Sequence, residues 1–171
     1  NSRHGIMGHL YPGMLDVSTD MTMVTTHFGG HMEVLEFDDL RVRVEKATAK
    51  EIDAVLDETR SIFDLDATVN DDDLRWAGQV AVGLRRLIDD FDISSLAYYH
   101  RGLDGEIHER LGAGMILGCS LLTAEGVPAV GERASRTLGE PLVFVAVPVL
   151  LGDSVLGVVR ISYPRSHIDE E

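Results

Sequence analysis

The order of apolar and polar residues predicts strands that alternate with helices from the start of the chain to residue 132. Short apolar or alternating runs are typical of strands, and they occupy residues 5–11, 31–37, 95–100 and 128–132. Between them, apolar residues recur three and four positions apart, as on the buried face of a helix. These helical segments span residues 14–28, about 48–63, 70–91 and about 107–125. The alternation indicates an α/β fold with a doubly wound, mostly parallel sheet and helices on both faces.

Local signals support the ends of the predicted helices. Gly29-Gly30 follow the first helix in the manner of a C-terminal cap. Thr48 and Glu51 have the spacing of a capping box at the start of the second. The third helix begins after Asn70 with acidic residues, and Arg85-Arg86 fall later in it. That distribution of charge suits the helix dipole.

The pattern changes after residue 132. Residues 142–150 and 155–163 are two near-continuous β-prone runs, and Gly152-Asp153 between them is a turn signal. Two such strands with no helix between them predict an antiparallel β-hairpin. We therefore expect an α/β domain over residues 1–132 and a β-hairpin appendage over residues 133–171.

Composition narrows the classes of partner. The 171 residues carry a formal net charge of −14, which argues against nucleic acid because phosphate binding needs clustered Lys and Arg. Cys119 is the single cysteine, so an intrachain disulfide is excluded, and its apolar surroundings predict a buried core residue. No apolar run reaches the length of a membrane span, and no signal peptide is visible. The chain begins at Asn1 in what reads as the inside of a domain, so we expect an upstream part to be missing.

The predicted topology brings polar residues to one edge of the sheet. Ligands of doubly wound sheets bind at the carboxyl ends of the strands. Three polar stretches follow predicted strands there: residues 9–11, residues 99–101, and Gly131-Glu132. Glu132 is either a metal-binding carboxylate or an ordinary polar residue at a strand end, and the spacing alone leaves both open.

Other motifs are better explained by structure than by chemistry. His27 and His31 have the spacing of two metal ligands on a helix, but the glycine pair between them should break that helix. Gly112, Gly114 and Gly118 resemble a dinucleotide fingerprint, yet they fall inside a helical pattern, which favours close helix packing. Ser120 also lies inside a predicted helix and not on a nucleophile elbow. Asp38-Asp39 are most simply a loop or cap pair.

Three segments together carry a resemblance to a known family: HGIMGHLYPGMLDVSTDMT, HMEVLEFDDL and LAYYHRGLDGEIHERLGAGMILGCSLLTAEGVPAVGE. From about residue 3 to Glu132 the chain resembles the middle part of bacterial L-arabinose isomerases and their L-fucose isomerase relatives. The resemblance implies a cytoplasmic aldose–ketose isomerase that uses Mn²⁺ or another divalent cation and is a homo-oligomer at full length. It implies Glu132 as metal ligand and catalytic carboxylate, and Met14, Tyr99 and His100 as residues that bind the sugar.

The chain departs from that family after Glu132. The second metal-binding Glu and the two His of the family pattern are missing, and His167 is the only later histidine. Residues 137–169 instead resemble the sensor region of bacterial histidine kinases. We therefore expect a truncated or fused fragment of a sugar isomerase, with little activity alone. The alternative is a sugar-binding or sensor module without catalysis, and a dinucleotide-binding domain is a third, weaker hypothesis.

Overall fold

The computed structural model describes residues 2–8, 20–99 and 106–125, with Phe28 and Glu106 as backbone only, and the backbone of residues 129–134, 141–151 and 154–164. The strands are β1 (Arg3–Gly8), β2 (His31–Leu35), β3 (Ser95–Tyr99), β4 (Ala129–Ala134), β5 (Pro141–Leu151) and β6 (Ser154–Pro164). The helices are α1 (Met21–Phe28), α2 (Phe37–Glu45), α3 (Ala49–Ile62), α4 (Asp71–Phe91) and α5 (Glu106–Ala124). Helices and parallel strands make the chain mixed α/β, which confirms the coarse fold class.

β1 is the middle strand of a parallel sheet. It pairs in parallel with β2 on one side and with β3 on the other, so that Ile6 lies level with both Val34 and Ala97. The strand order is β2-β1-β3-β4-β5-β6. The backbone of β4 pairs in parallel with β3 and antiparallel with β5, and β5 pairs antiparallel with β6. β4 runs across residues 132 and 133, where the sequence places a domain boundary; that boundary stays a prediction.

The described residues form two compact units. The strands with α1 make one unit, and α2, α3, α4 and most of α5 make the other. Within the described ranges, no helix combines the length and the apolar character that crossing a bilayer requires.

The two faces of the sheet formed by β1, β2 and β3 differ in burial. One face carries the buried residues Gly5, Met7, Leu35, Leu96 and Tyr98. On the other face Val34 is 53% exposed and Ala97 is exposed, while Ile6, Met32 and Tyr99 are half-buried. A Cβ atom on Gly5 would lie only 3.0 Å from Leu35 Cδ1 and 3.1 Å from Leu96 Cδ1. Glycine at the centre of the sheet therefore lets side chains from both neighbouring strands meet over β1.

α4 is the central helix of the helical unit. A Cβ atom on Gly83 would lie 2.5 Å from Val44 Cγ2 and 2.8 Å from Val44 N, so α2 passes directly against α4. A Cβ atom on Gly114 of α5 would lie 2.7 Å from Val80 Cγ2. At Gly118 the same atom would lie 3.1 Å from the Cα atom of Ala81. Gly114 and Gly118 thus serve close helix packing, as the sequence predicts, and the role of Gly112 stays a prediction.

Ion pairs join α3 to α4. Arg85 donates to both carboxylate oxygens of Glu58, at 2.8 and 2.7 Å, and Arg86 donates to Glu51 Oε1. The acidic first turn that the sequence predicts for α4 is confirmed, whereas its last turn holds no basic residue. The two arginines lie further back and reach carboxylates on the neighbouring helix.

Three element boundaries in the first 37 residues differ from the sequence prediction. α1 begins at Met21 and not at residue 14, because Asp20 is extended (φ −67°, ψ 112°) and its carboxylate caps the helix by accepting from Thr22 N. β1 begins at Arg3, earlier than predicted, and residues 9–11 of the predicted strand lie outside the described part. β2 ends at Leu35 because α2, a helix that the sequence analysis missed, begins at Phe37.

Asp39 explains why α2 begins there. Its carboxylate accepts a hydrogen bond from the backbone N–H of Glu36 at 3.0 Å, which confirms a capping role for Asp39. Asp38 instead accepts a hydrogen bond from Arg41. The capping box of Thr48 and Glu51 is present at the start of α3, and Asn70 caps α4. Gly29 ends α1 in the left-handed conformation (φ 71°), as predicted.

The Glu51 carboxylate couples stability to pH. Hydrogen bonds from the Thr48 hydroxyl, from the Thr48 amide and from Arg86, in decreasing order, lower the pKa of Glu51 from 4.5 to about 2. A carboxyl group whose pKa falls on folding stabilises the protein above its unfolded pKa, and this stabilisation is lost as the pH drops through the folded pKa. We predict that Glu51→Gln flattens the decline of the melting temperature between pH 4.5 and about 2. An unchanged decline in that range would contradict this role of Glu51.

Candidate functional site

The carboxyl ends of β1 and β3 form the topological switch point of the sheet. The chain leaves β1 through α1 toward β2 and leaves β3 through α5 toward β4, and these neighbours lie on opposite sides of the β1–β3 pair. Where neighbouring strands send their crossovers in opposite directions, a crevice opens beyond their carboxyl ends, and ligands of open α/β sheets bind in it. The strand order therefore selects this end of β1 and β3 as the candidate site.

Gly8 and Tyr99 face one another across this switch point. They are register partners, and each is the last residue of its strand. Gly8 has a φ of 84°, a left-handed conformation that side chains other than glycine rarely adopt. It turns the chain at the end of β1 and adds no side chain next to Tyr99, which is half-buried. An aromatic ring beside a backbone without a side chain is a suitable wall for a small ligand.

The backbone of Glu132 lies level with Tyr99. Leu96 and Ala97 of β3 pair with Ala129 and Val130 of β4. Because parallel strands advance together one residue at a time, two further residues bring Tyr99 level with Glu132. Continued in this way beyond its last paired residues, Ala97 and Val130, the register places Glu132 in the row of the switch point.

The sequence analysis predicted that Glu132 ends its strand, and this prediction is wrong. β4 continues to Ala134, because its backbone pairs with β5 beyond Glu132, through Arg133 and Ala134. Glu132 itself is the register partner of Val143. The long-range pairing with β5 thus extends a strand that local sequence signals would stop at residue 132.

The remaining predicted site residues fall outside the described part. Met14 and His100 lie there entirely, and so does the side chain of Glu132. Among the side chains that the structure describes, no three His, Cys, Asp or Glu residues converge on a possible metal position. One carboxylate offers two oxygen atoms, whereas a hard cation takes about six or more ligands. The described residues therefore do not by themselves form a cation site.

The histidine pair and Ser120 are placed as the sequence analysis expected. His27 lies in the last turn of α1 and His31 begins β2, so the glycine pair separates them. Ser120 lies within α5, where its hydroxyl donates to Ile116 O at 2.9 Å. Cys119 is buried, and burial raises the pKa of its thiol to about 12. A thiol with that pKa remains protonated and unreactive near neutral pH.

Sequence reasoning missed a polar cluster at the opposite, amino edge of the sheet. The ring of His4 bridges two serine hydroxyls, with Nδ1 2.7 Å from Ser95 Oγ and Nε2 3.0 Å from Ser2 Oγ. His4 and Ser95 are register partners at the starts of β1 and β3. Since 91 residues separate them, only the pairing of the strands brings them together.

Comparison with protein-family models and with curated proteins gave no match for this chain. The resemblance to arabinose and fucose isomerases therefore rests on the quoted sequence segments. That resemblance supports a proposed function and does not establish the family.

The left-handed conformation of Gly8 gives a direct test of how the site is built. We predict that Gly8→Ala lowers the free energy of unfolding by about 1–2 kcal/mol, because a Cβ atom is strained at positive φ. Gly8→Asn should cost less, since asparagine tolerates this conformation. Urea denaturation of the three proteins measures the difference. Equal stability of Gly8→Ala and the unsubstituted protein would show that the chain does not turn in this way.

Proposed function

We propose that this chain carries part of the sugar pocket of a metal-dependent aldose–ketose isomerase that resembles L-arabinose and L-fucose isomerases. In this proposal the chain is a truncated or fused fragment with little activity alone. One observation carries the proposal: the switch point of the sheet lies between Gly8 and Tyr99. The register of β3 with β4, continued by two residues beyond Ala97 and Val130, would place Glu132 in the same row. These residues belong to the segments that carry the family resemblance.

The chemistry of Tyr99 and Gly8 suits a sugar. A tyrosine offers an apolar ring and a polar hydroxyl group, and a sugar has both C–H and hydroxyl surfaces. Gly8 leaves space beside the ring because it has no side chain. Met14 and His100 would complete the wall of the pocket by analogy with the family.

Glu132 would contribute the carboxylate of the site. Mn²⁺ prefers oxygen and imidazole ligands, so a glutamate is a suitable ligand for it. When bound, such a cation stabilises negative charge on the oxygens of an open-chain sugar. The further ligands that the family supplies after this position have no counterpart in the pattern after residue 132. Affinity and geometry need the full set, so we expect weak metal binding and little turnover.

The doubly wound sheet and the hairpin appendage are part of the same proposal. The direction in which successive strands are added reverses between β1 and β3. Right-handed crossovers would then carry successive helices to opposite faces, as in a doubly wound sheet. Residues 133–171 would be a hairpin appendage joined to the isomerase-like domain of residues 1–132.

A second candidate is a sugar-binding or sensor module without catalysis. The backbone of β4 pairs with β5, which lies within the segment, residues 137–169, that resembles a histidine-kinase sensor region. A sheet that continues from a ligand crevice into such strands is an arrangement in which binding can bias a neighbouring structure. In this candidate the sugar would bind without a metal ion.

Calorimetric titration with L-arabinose or L-fucose separates the two candidates. The isomerase proposal predicts that sugar binding requires Mn²⁺ and is abolished by EDTA, and that ketose formation stays negligible. Glu132→Gln should weaken Mn²⁺-dependent binding about tenfold or more, because it removes a charged ligand. Glu109→Gln, an exposed glutamate of α5, is the matched control and should bind as the unsubstituted chain does.

The outcomes that contradict the proposal are specific. Sugar binding that ignores EDTA would replace it with the sensor candidate. Equal losses in Glu132→Gln and Glu109→Gln, or no binding of either sugar, would remove Glu132 from any sugar site. Rapid ketose formation by the chain alone would overturn the expectation of little activity.

A further inference from the structure

The connection between α3 and α4 carries exposed apolar side chains. Ile62, Leu65 and Val69 are 49%, 39% and 43% exposed. They are three of the seven large apolar side chains that are exposed in the described part of the chain, and they fall within eight residues. Single exposed apolar residues are normal on a protein surface, whereas a group of them marks a candidate contact site. We call these three side chains the loop surface.

Core packing and hydrogen bonds fix the conformation of this connection. Phe63 packs against the core cluster of α3 and α4, and its backbone N–H donates to Thr59 O at 2.9 Å. Asp66 Oδ1 accepts from the backbone N–H and from the hydroxyl of Thr68, both at 2.8 Å. The backbone N–H of Val69 donates to Asp66 O at 3.0 Å, which closes a turn whose end Cα atoms lie within about 7 Å. The loop surface is therefore presented on a connection of defined shape.

Negative charge flanks the loop surface. Residues 57–73 contain seven acidic residues and one basic residue, Arg60. Arg60 pairs with Asp57 at 3.4 Å, and Glu58 pairs with Arg85. The other five carboxylates are exposed and form no ion pair with an Arg, Lys or His of the described ranges: Asp64, Asp66, Asp71, Asp72 and Asp73. Apolar side chains beside unpaired carboxylates are complementary to a surface on which apolar side chains lie beside cations.

We infer that the loop surface binds a cationic amphipathic segment of a partner protein. In such a segment, Lys or Arg side chains flank a row of apolar side chains, as on a helix that lays its apolar face against another protein. The apolar row would cover Ile62, Leu65 and Val69. The cations would pair with the exposed aspartates on either side.

Charge disfavours the other macromolecules that could cover the loop surface. A second copy of this chain would bring the same carboxylates and a net charge of −14, so the two copies would repel one another here. Nucleic acids and anionic lipid surfaces also carry negative charge and are disfavoured for the same reason. A cationic protein segment is the occupant that both the apolar side chains and the carboxylates favour.

The inference does not rest on the proposed function, because the loop surface includes none of the residues assigned to the sugar pocket. Loss of sugar binding and loss of segment binding are therefore separate results.

Fluorescence anisotropy with labelled synthetic peptides measures this binding on the full chain. The probe is a peptide of about 18 Lys and Leu residues, in which leucines recur three and four positions apart. A second peptide with serine in place of leucine keeps the charge and lacks the apolar row. The inference requires the Lys/Leu peptide to bind about tenfold or more tightly than the Lys/Ser peptide. Its binding should weaken as NaCl is raised from about 50 mM to about 500 mM, because salt screens exposed charges.

Two valines of similar exposure provide a matched pair of variants. Val69→Ser removes part of the loop surface, whereas Val42→Ser changes a valine of α2 that is 39% exposed and lies between Arg41 and Arg43. Neither substitution changes the net charge. We predict that Val69→Ser weakens binding of the Lys/Leu peptide about fivefold, because the peptide no longer buries this side chain. Val42→Ser should bind as the unsubstituted chain does, and circular dichroism verifies that both variants are folded.

Two aspartates test the contribution of charge. Asp64→Asn removes an exposed carboxylate beside Leu65, and Asp89→Asn removes an exposed carboxylate near the end of α4. Both variants change the net charge of the chain equally. We predict that Asp64→Asn weakens binding of the Lys/Leu peptide about threefold at low salt, because one ion pair is lost. Asp89→Asn should leave the dissociation constant unchanged.

Three results would overturn the inference. The first is no binding of the Lys/Leu peptide at chain concentrations up to about 100 μM. The second is equal binding of the Lys/Leu and Lys/Ser peptides, which would show attraction by charge alone. The third is an equal effect within either matched pair of variants, which would place the peptide on another surface.

Discussion

The structure depends on the parallel pairing of β1 with a strand on each side. Gly5 permits this pairing, because side chains from β2 and β3 meet above it within 3.0–3.1 Å of where a Cβ atom would lie. A slip of one residue in either register would move Met7, which is fully buried, toward the exposed face. Burial of one face of the sheet therefore fixes the register, and the register fixes which residues meet at each end.

Two consequences follow from the central position of β1. At its carboxyl end, β1 places Gly8 beside Tyr99, and the register of β3 with β4, continued by two residues, places Glu132 in the same row. On the side of β1 opposite β3, β2 is the last strand of the sheet. Its outward backbone groups have no strand partner among the described residues.

Features with local causes could be predicted from the sequence. The start of α4 after Asn70 and the packing glycines of α5 follow from short-range spacing and capping. α2 was missed because it is a short helix that begins directly after a strand, and only the cap at Asp39 marks its start. The continuation of β4 past Glu132 was missed for another reason. Pairing with β5 determines where β4 ends, and no sequence signal near residue 132 indicates that pairing. For the same reason the resemblance could single out Tyr99 as a candidate residue, but no local pattern could identify Gly8 as its partner across the sheet.

The central claim is that the carboxyl ends of β1 and β3 form the ligand site. Paramagnetic broadening of backbone amide signals by Mn²⁺, in the presence of L-arabinose, tests it most directly. The account predicts that the signals of Gly8, Tyr99 and Glu132 disappear first, at metal concentrations that leave the rest of the spectrum unchanged. Broadening centred on the acidic start of α4 at residues 71–73, with Gly8 and Tyr99 unaffected, would contradict it.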